Sequence, residues 1–467
     1  MPRTFQVISP IDGQAWHSQA ESSEQQIENA LAACTSSQKA WARRSLDERL
    51  RVIERFAAAM EGRQEDYGHA LTHQMGRPIT QSPGEIRGAV DRARQMALLA
   101  PEALSDIVPS PADGFQRFIR REALGVVLVL APWNYPYLTA VNAVIAALIA
   151  GNGVILKHSD QTPLVAQYFA DCLSEAGLPD GVFRVLHVDH DTVSRIINDR
   201  RIQHVCFTGS VEGGKAVSHA VDRRADMGDF IGLGLELGGK DAAYVRADAD
   251  VASAAESLVD GAFFNSGQSC CGIERIYVHT TIMADFLDAF SQGIRGYRLG
   301  NPLLAGTNLG PVVRPRSAAA IRAQVEEALG RGAQQLVDPS LFDADDGVST
   351  YVAPQALIQV DHQMVLMRDE TFGPIVGIMA VDDDDDALAH VNDSCYGLTA
   401  SIWTRDREAA LRIGAQIEAG TIFMNRCDYL DPMLAWTGQK SSGRGATLSR
   451  VGFEHLTRPK SFHLRIT

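Results

Sequence analysis

Between residues 45 and 60, Leu46, Leu50, Ile53, Phe56 and Met60 recur at helical spacing, and Ser45 with Glu48 three residues on has the form of a capping box. The first hundred residues are therefore expected to be mainly helical. From about residue 125 the pattern changes to short β-branched runs: GVVLVL (125–130), GVILK (153–157), VFRVLHV (182–188), HVCFTG (204–209) and a weaker GLGLEL (232–237). Continuous apolar strands separated by helical periods predict a parallel sheet covered on both faces, so the first half reads as a doubly wound, nucleotide-type domain. A second α/β series begins near residue 240, with a strand at RIYVHT (275–280) and helices in IMADFLDAFSQGI (282–294) and SAAAIRAQVEEALGRG (317–332). It predicts a second domain. FQRFIRREAL (115–124) and SFHLRIT (461–467) alternate like exposed arms without a local core. Such pieces are expected to pair elsewhere, another subunit included.

The most apolar stretch, YLTAVNAVIAALIA (137–150), ends at Gly151 and is shorter than the ~20 residues a membrane span needs. It is expected to be a buried helix. The first residues, MPRTFQVISPIDG, lack the apolar run of a secretory signal. A length of 467 residues allows two to four domains, and a net charge of −14 disfavours nucleic-acid and anionic-membrane partners, which draw affinity from Lys and Arg. Seven cysteines with no CxxC pair point to a reduced, cytoplasmic protein. The thirteen histidines show no ligand spacing, and the run Asp382–Asp386 reads as a solvated, dipole-favoured helix start. No metal is expected.

Several segments offer chemistry. FTGSVEGGKA (207–216) follows a strand and precedes a helical pattern, where backbone N–H groups can receive phosphate. Gly209, Gly214 and Lys215 satisfy GxxxxGK, yet Ala216 stands where a Walker-type loop needs a hydroxyl. GLGLELGG (232–239) has only the first two glycines of a GxGxxG dinucleotide motif. Lys157 ends a strand with Asp160 three residues later, a pair able to face a ribose or simply to lie in solvent. Cys270 follows the small-residue turn Asn265-Ser266-Gly267 and is either a buried core thiol or a nucleophile activated by nearby backbone donors. Glu236, inside an otherwise apolar run, is either structurally paired or poised as a base.

LELGGK (235–240) followed by FFNSGQSC (263–270) resembles the paired signature of the aldehyde dehydrogenase superfamily. PWNYP (132–136), KHSDQTP (157–163), FTGS (207–210) and DETFGP (369–374) resemble its other motifs in the same order, nearly end to end. The resemblance implies an α/β fold with a Rossmann-like cofactor domain (1–111 and 125–237), an α/β catalytic domain (238–440) and a small β oligomerisation arm (112–124 and 441–467). It implies NAD-dependent oxidation of an aldehyde. Cys270 would be the nucleophile, Asn134 an oxyanion donor and Glu236 the general base. Lys157 would bind the adenosine ribose, Gly209 and Ser210 the diphosphate and Glu370 the nicotinamide ribose, with Trp133 and Phe372 packing nearby. Asp160, where many relatives carry Glu, would repel a 2′-phosphate and favour NAD over NADP. The arm implies a homodimer or homotetramer.

The chain also departs from the family pattern. In KSSGRGATLS (440–449), Ala446 and Thr447 replace an Arg-Glu pair whose Glu supports the base in some members, so Glu236 is expected to stand unaided or deacylation to be slow. Gly213 replaces a larger apolar residue and predicts a looser diphosphate turn. Tyr135, Phe264, Tyr429 and Trp436 would line the substrate tunnel. Tyr135, Phe264 and Trp436 match an aromatic cage for cationic aldehydes, although Asn142 replaces its fourth ring. A neutral aromatic or aliphatic aldehyde fits the same walls. Outside this reading stand a cofactor-independent thioesterase or esterase using Cys270, Asn134 and Glu236, and a non-catalytic binding protein on the same scaffold.

Overall fold

A computed structural model describes residues 3–466. It opens on an antiparallel hairpin, Thr4–Ile8 with Ala15–Ala20, which the helical reading of the first hundred residues did not include. Four helices follow: Glu24–Ala42, Leu46–Glu61, Gln64–Met75 and Ser82–Ala103. The second is capped by Ser45, whose side chain accepts from the Glu48 backbone while Glu48 reaches back to the Ser45 N–H.

The first sheet has six strands in the order Gly443–Arg444, Gly232–Glu236, Ile202–Thr208, Val126–Ala131, Gly153–His158, Phe183–Val185. All run parallel except Gly443–Arg444, which is antiparallel. Val126–Ala131 and Gly153–His158 are buried throughout because helices cover both faces. One of them, Pro136–Ile149, is the expected buried helix. Its carbonyl at Leu148 accepts the Trp41 indole N–H at 2.9 Å, which joins the N-terminal helices to the sheet.

Chain order reverses between Val126–Ala131 and Ile202–Thr208, so this is the topological switch point of the sheet. Ligands of doubly wound sheets bind beyond the carboxyl ends of the strands there. Asn134 follows one of these ends, and Gly209 and Ser210 follow the other.

The second sheet has seven strands in the order Gln334–Gln335, Gln355–Ile358, Ile375–Val381, Ile273–His279, Asp241–Val245, Thr399–Trp403, Thr421–Met424, parallel except for the first. Glu236 ends the last parallel strand of the first sheet, and the second sheet begins at Asp241. That short connection places the seam between the sheets beside Glu236.

Phe115–Ala123 and Thr457–Arg465 pair with each other, antiparallel over nine residues, with Phe118 and Phe462 stacked at 4.5 Å. Asn152 ties this ribbon to the first sheet: its Oδ1 accepts the Leu124 and Gly125 N–H groups and its Nδ2 donates to the Leu456 carbonyl. Not all of the C-terminal stretch joins the ribbon, since Gly443–Arg444 extends the first sheet beside Leu235 and Glu236.

The acidic run starts helix Asp384–Asn392, with Asp383 as its N-cap and Asp384 paired to Arg246 and Arg412. Among the described residues no group of three or more His, Cys, Asp or Glu is arranged to hold a metal. No helix among them is long and apolar enough to cross a membrane.

Candidate active site

Helix Val251–Phe263 ends where Asn265, Ser266 and Gly267 take three successive left-handed conformations (φ 54°, 56° and 67°). A Cβ on Gly267 would strike the Gly373 carbonyl, so only glycine lets this turn pass under the 369–374 segment. The turn carries Cys270 to the wall of a cavity of about 620 Å³, which Glu236, Tyr135, Phe264, Tyr429 and Trp436 also line. The next residue is not equivalent. Cys271 is buried, and its hydrogen bond with Cys270, together with burial, pushes its thiol well above the usual range. Its Sγ donates to Asp428 at 3.0 Å.

Asn134 directly precedes Tyr135 of the cavity wall and is held by Arg77, which no sequence motif marks, and by Asn265 and Gln268 of FFNSGQSC. Its carbonyl accepts from Arg77 Nη2 at 2.8 Å and from Asn265 Nδ2 at 3.2 Å. Its own Nδ2 donates to the Gln268 carbonyl at 3.3 Å, which leaves its second N–H for another acceptor. Arg77 is buried, paired with Glu85, and lies over the Tyr135 ring at 4.5 Å. Glu85 in turn accepts the Tyr137 and Leu138 N–H groups. This buried pair therefore fixes both the oxyanion candidate and the start of the following helix.

Burial raises the Glu236 carboxyl, against the lowering effects of two hydroxyl donors and the nearby Arg92 charge. Thr208 Oγ1 donates to Glu236 Oε2 at 3.2 Å, and Thr447 Oγ1 donates to Oε1. The expectation of an unaided Glu236 is therefore corrected. Thr447, one of the residues that replaced the Arg-Glu pair, has itself become the partner, because Gly443–Arg444 brings it alongside the Glu236 strand.

The remaining candidates fall at the strand ends of the first sheet and on the 369–374 segment. Lys157 Nζ donates to Asp160 Oδ1 at 2.9 Å. Ser210 caps helix Val211–Asp226 by accepting from the Gly213 N–H, and the Gly209 N–H donates to the Glu236 carbonyl at 3.0 Å. A Cβ on Gly213 would lie 2.7 Å from the Phe207 ring, so that ring fills the space expected to loosen the turn. Trp133 meets Phe372 edge to face at 5.6 Å. Burial raises the Glu370 carboxyl to about 8, and it accepts the Gly239 N–H at 3.0 Å. Glu274, which accepts from Lys240 Nζ and from the Thr371 and Phe372 N–H groups, fixes the segment that carries Glu370.

A helix N-terminus at a switch point, a Lys-Asp pair at a neighbouring strand end and a separate carboxyl beside aromatic rings form the donor set a dinucleotide needs: N–H groups for diphosphate, acceptors for ribose hydroxyls. The fold and this site define an oxidoreductase with a Rossmann-like nicotinamide-dinucleotide domain. The aldehyde dehydrogenase family profile matches residues 1–462, and the chain belongs to that family. It is 32% identical to betaine aldehyde dehydrogenase 2 of Rhizobium meliloti (strain 1021), over 97% of this chain and 92% of the relative. It is also 32% identical to a succinate semialdehyde dehydrogenase of Escherichia coli (strain K12) named for NAD(P)+, over 96% of this chain and 95% of that one. The crystal structure of an NAD-dependent aldehyde dehydrogenase from Sinorhizobium meliloti superimposes with a TM-score of 0.93 at 30% identity, covering 99% of this chain and 92% of its own.

Proposed function

We propose that this chain oxidises an aldehyde to a carboxylic acid through a thioester on Cys270, with NAD as cofactor. The observation that carries the reading is the convergence of Cys270 and Glu236 on one cavity while the Glu236 backbone is bonded to the cofactor turn at Gly209.

The Cys270 thiolate adds to the aldehyde carbon, forming a C–S bond and an alkoxide. The free N–H of the Asn134 amide and the Cys270 backbone N–H stabilise that oxyanion. A nicotinamide dinucleotide held by Trp133, Lys157, Ser210 and Glu370 would supply, when bound, an acceptor for the hydride; loss of that hydride from this carbon oxidises the aldehyde by two electrons and leaves a thioester on Cys270. Glu236 then takes a proton from water as that water attacks the thioester, releasing the acid and the thiol. A carboxyl raised by burial suits a base that must gain and lose a proton near neutral pH.

The cofactor residues of this chain are Trp133, Lys157, Asp160, Gly209, Ser210, Glu370 and Phe372. Asp160 sets the preference for NAD, since its charge beside Lys157 opposes a 2′-phosphate. Self-association through the Phe115–Ala123 and Thr457–Arg465 ribbon gives a dimer or a dimer of dimers. A two-stranded ribbon with exposed apolar side chains, such as Leu464 and Ile466, gains stability when another surface covers it. A reducing compartment, expected to be the cytoplasm, would keep Cys270 a thiol.

The test is NADH formation on a panel of aldehydes by the wild-type chain, by Cys270→Ala, and after alkylation with iodoacetamide. NADH from the wild-type chain that disappears in both treated forms supports the reading. Oxidation retained by Cys270→Ala overturns the thioester route. Ester hydrolysis with no NADH from any aldehyde would favour an esterase instead.

A further inference from the structure

Among the described residues four buried cations form ion pairs: Arg77 with Glu85, Lys240 with Glu274, Arg224 with Asp229, and Lys157 with Asp160. A fifth, Arg275, spends its donors on backbone carbonyls and the Tyr277 hydroxyl. Arg92 has no ion pair and uses only part of its fork. It is 9% exposed, and its Nη1 alone is bonded, to the Leu138 carbonyl at 2.9 Å and to Asn142 Oδ1 at 3.2 Å. Among the described residues its Nε and Nη2 have no partner, although neither is sealed inside the protein. Both belong to the side chain that lines the Cys270 cavity, where Arg92 is the one cation among the described residues.

We propose that Arg92 is the specificity residue that receives the carboxylate of a short ω-oxo acid whose aldehyde end reaches Cys270. This rests on the dehydrogenase reading and names its substrate class. A largely buried guanidinium whose Nε and Nη2 remain accessible presents an open fork edge, and a carboxylate fits that fork in shape and charge.

Two of the carboxylates around the cavity, Glu236 and Asp428, are poor partners for a cationic substrate because they already have donors, whereas Asp260, which also lines it, has none among the described residues. Glu236 takes two threonine hydroxyls, and Asp428 Oδ1 takes Ser269 Oγ at 2.9 Å and Cys271 Sγ at 3.0 Å. The aromatic walls are also engaged. Arg77 covers a face of Tyr135, and Arg426 lies 3.4 Å from the centre of the Tyr429 ring. A quaternary ammonium would have to share those faces with guanidinium charges. Asp91, Asp260 and Asp431 also line the cavity and repel an anion, so Arg92 is the group that makes the acid acceptable.

The test compares kcat/KM for three aldehydes of matched chain: 4-oxobutanoate, butanal and 4-(trimethylammonio)butanal. The wild-type chain should prefer 4-oxobutanoate. In Arg92→Met that preference, read as the ratio of kcat/KM on the acid to kcat/KM on butanal, should fall by about 10- to 100-fold, the range of a charged hydrogen bond. Arg92→Lys should restore part of it. Equal losses on the acid and on butanal would overturn the proposal and leave Arg92 a packing or electrostatic support for Glu236. A wild-type preference for butanal or for the ammonium aldehyde would also overturn it. Failure to form NADH from any of the three would instead defeat the dehydrogenase reading itself.

Discussion

Replacing Thr447 with valine keeps the shape of the side chain and removes the hydroxyl that donates to Glu236 Oε1. Hydrogen bonds to charged groups contribute about 1.5–3 kcal/mol, and about 1.36 kcal/mol corresponds to one pKa unit. The carboxylate form of Glu236 loses that much relative to the acid form, so its pKa rises further, by about one to two units if the full contribution is lost. Thr208 still donates to the other oxygen and sets a floor on the effect. The base is active when ionised, so activity falls on the acid side, and the acid limb of the kcat–pH profile should move upward by that amount. Hydride transfer precedes the step that needs the base. A rapid burst of NADH should therefore survive at neutral pH while the steady rate drops about tenfold or more. Stopped-flow NADH absorbance across pH 5–9 measures both, and Thr447→Ser should restore the limb. An unmoved limb with an unchanged steady rate in Thr447→Val would refute the assignment of Thr447 as a positioning residue.

Asp160→Ser should raise kcat/KM for NADP relative to NAD by about tenfold or more, as removal of one opposed charge frees Lys157 for a phosphate; a wild-type chain that already uses NADP as well as NAD would show that Asp160 does not set the preference. Arg77→Met should destabilise the fold by about 3–5 kcal/mol because it strands the buried Glu85 carboxylate, and Arg77→Met with Glu85→Leu should recover part of that loss. Urea unfolding measures both, and a single variant as stable as the double would contradict the account.

The strands of the first sheet were legible because each is a continuous apolar run that a sheet covered on both faces requires. The opening hairpin was not, since Ala15–Ala20 is polar, largely exposed and lacks the alternation of a half-buried strand. Glu274 could have been found by the argument that singled out Glu236: both are lone carboxylates in apolar runs, and Glu274 sits in IERIYVH with every neighbour buried. Arg77 and Arg92 carried no comparable signal. Apart from the Arg77–Glu85 pair, eight residues apart, their contacts are with residues 46 to 188 positions away, and no local pattern encodes such a meeting. Thr447 was noticed as a loss. A motif comparison registers the missing carboxylate, whereas only geometry shows that a hydroxyl has reached the same base.

The antiparallel addition of Gly443–Arg444 to Glu236 and Leu235 also bears on how the chain is made. More than two hundred residues separate the two partners, so this contact cannot form until residues 443 and 444 have left the ribosome. Val126–Ala131, Gly153–His158 and Ile202–Thr208 can assemble during synthesis, but the base remains unclasped until the final segment folds back. A chain cut before residue 443 would keep Thr208 but lose Thr447 as a donor to Glu236, and on the proposed route it would release its acyl group more slowly.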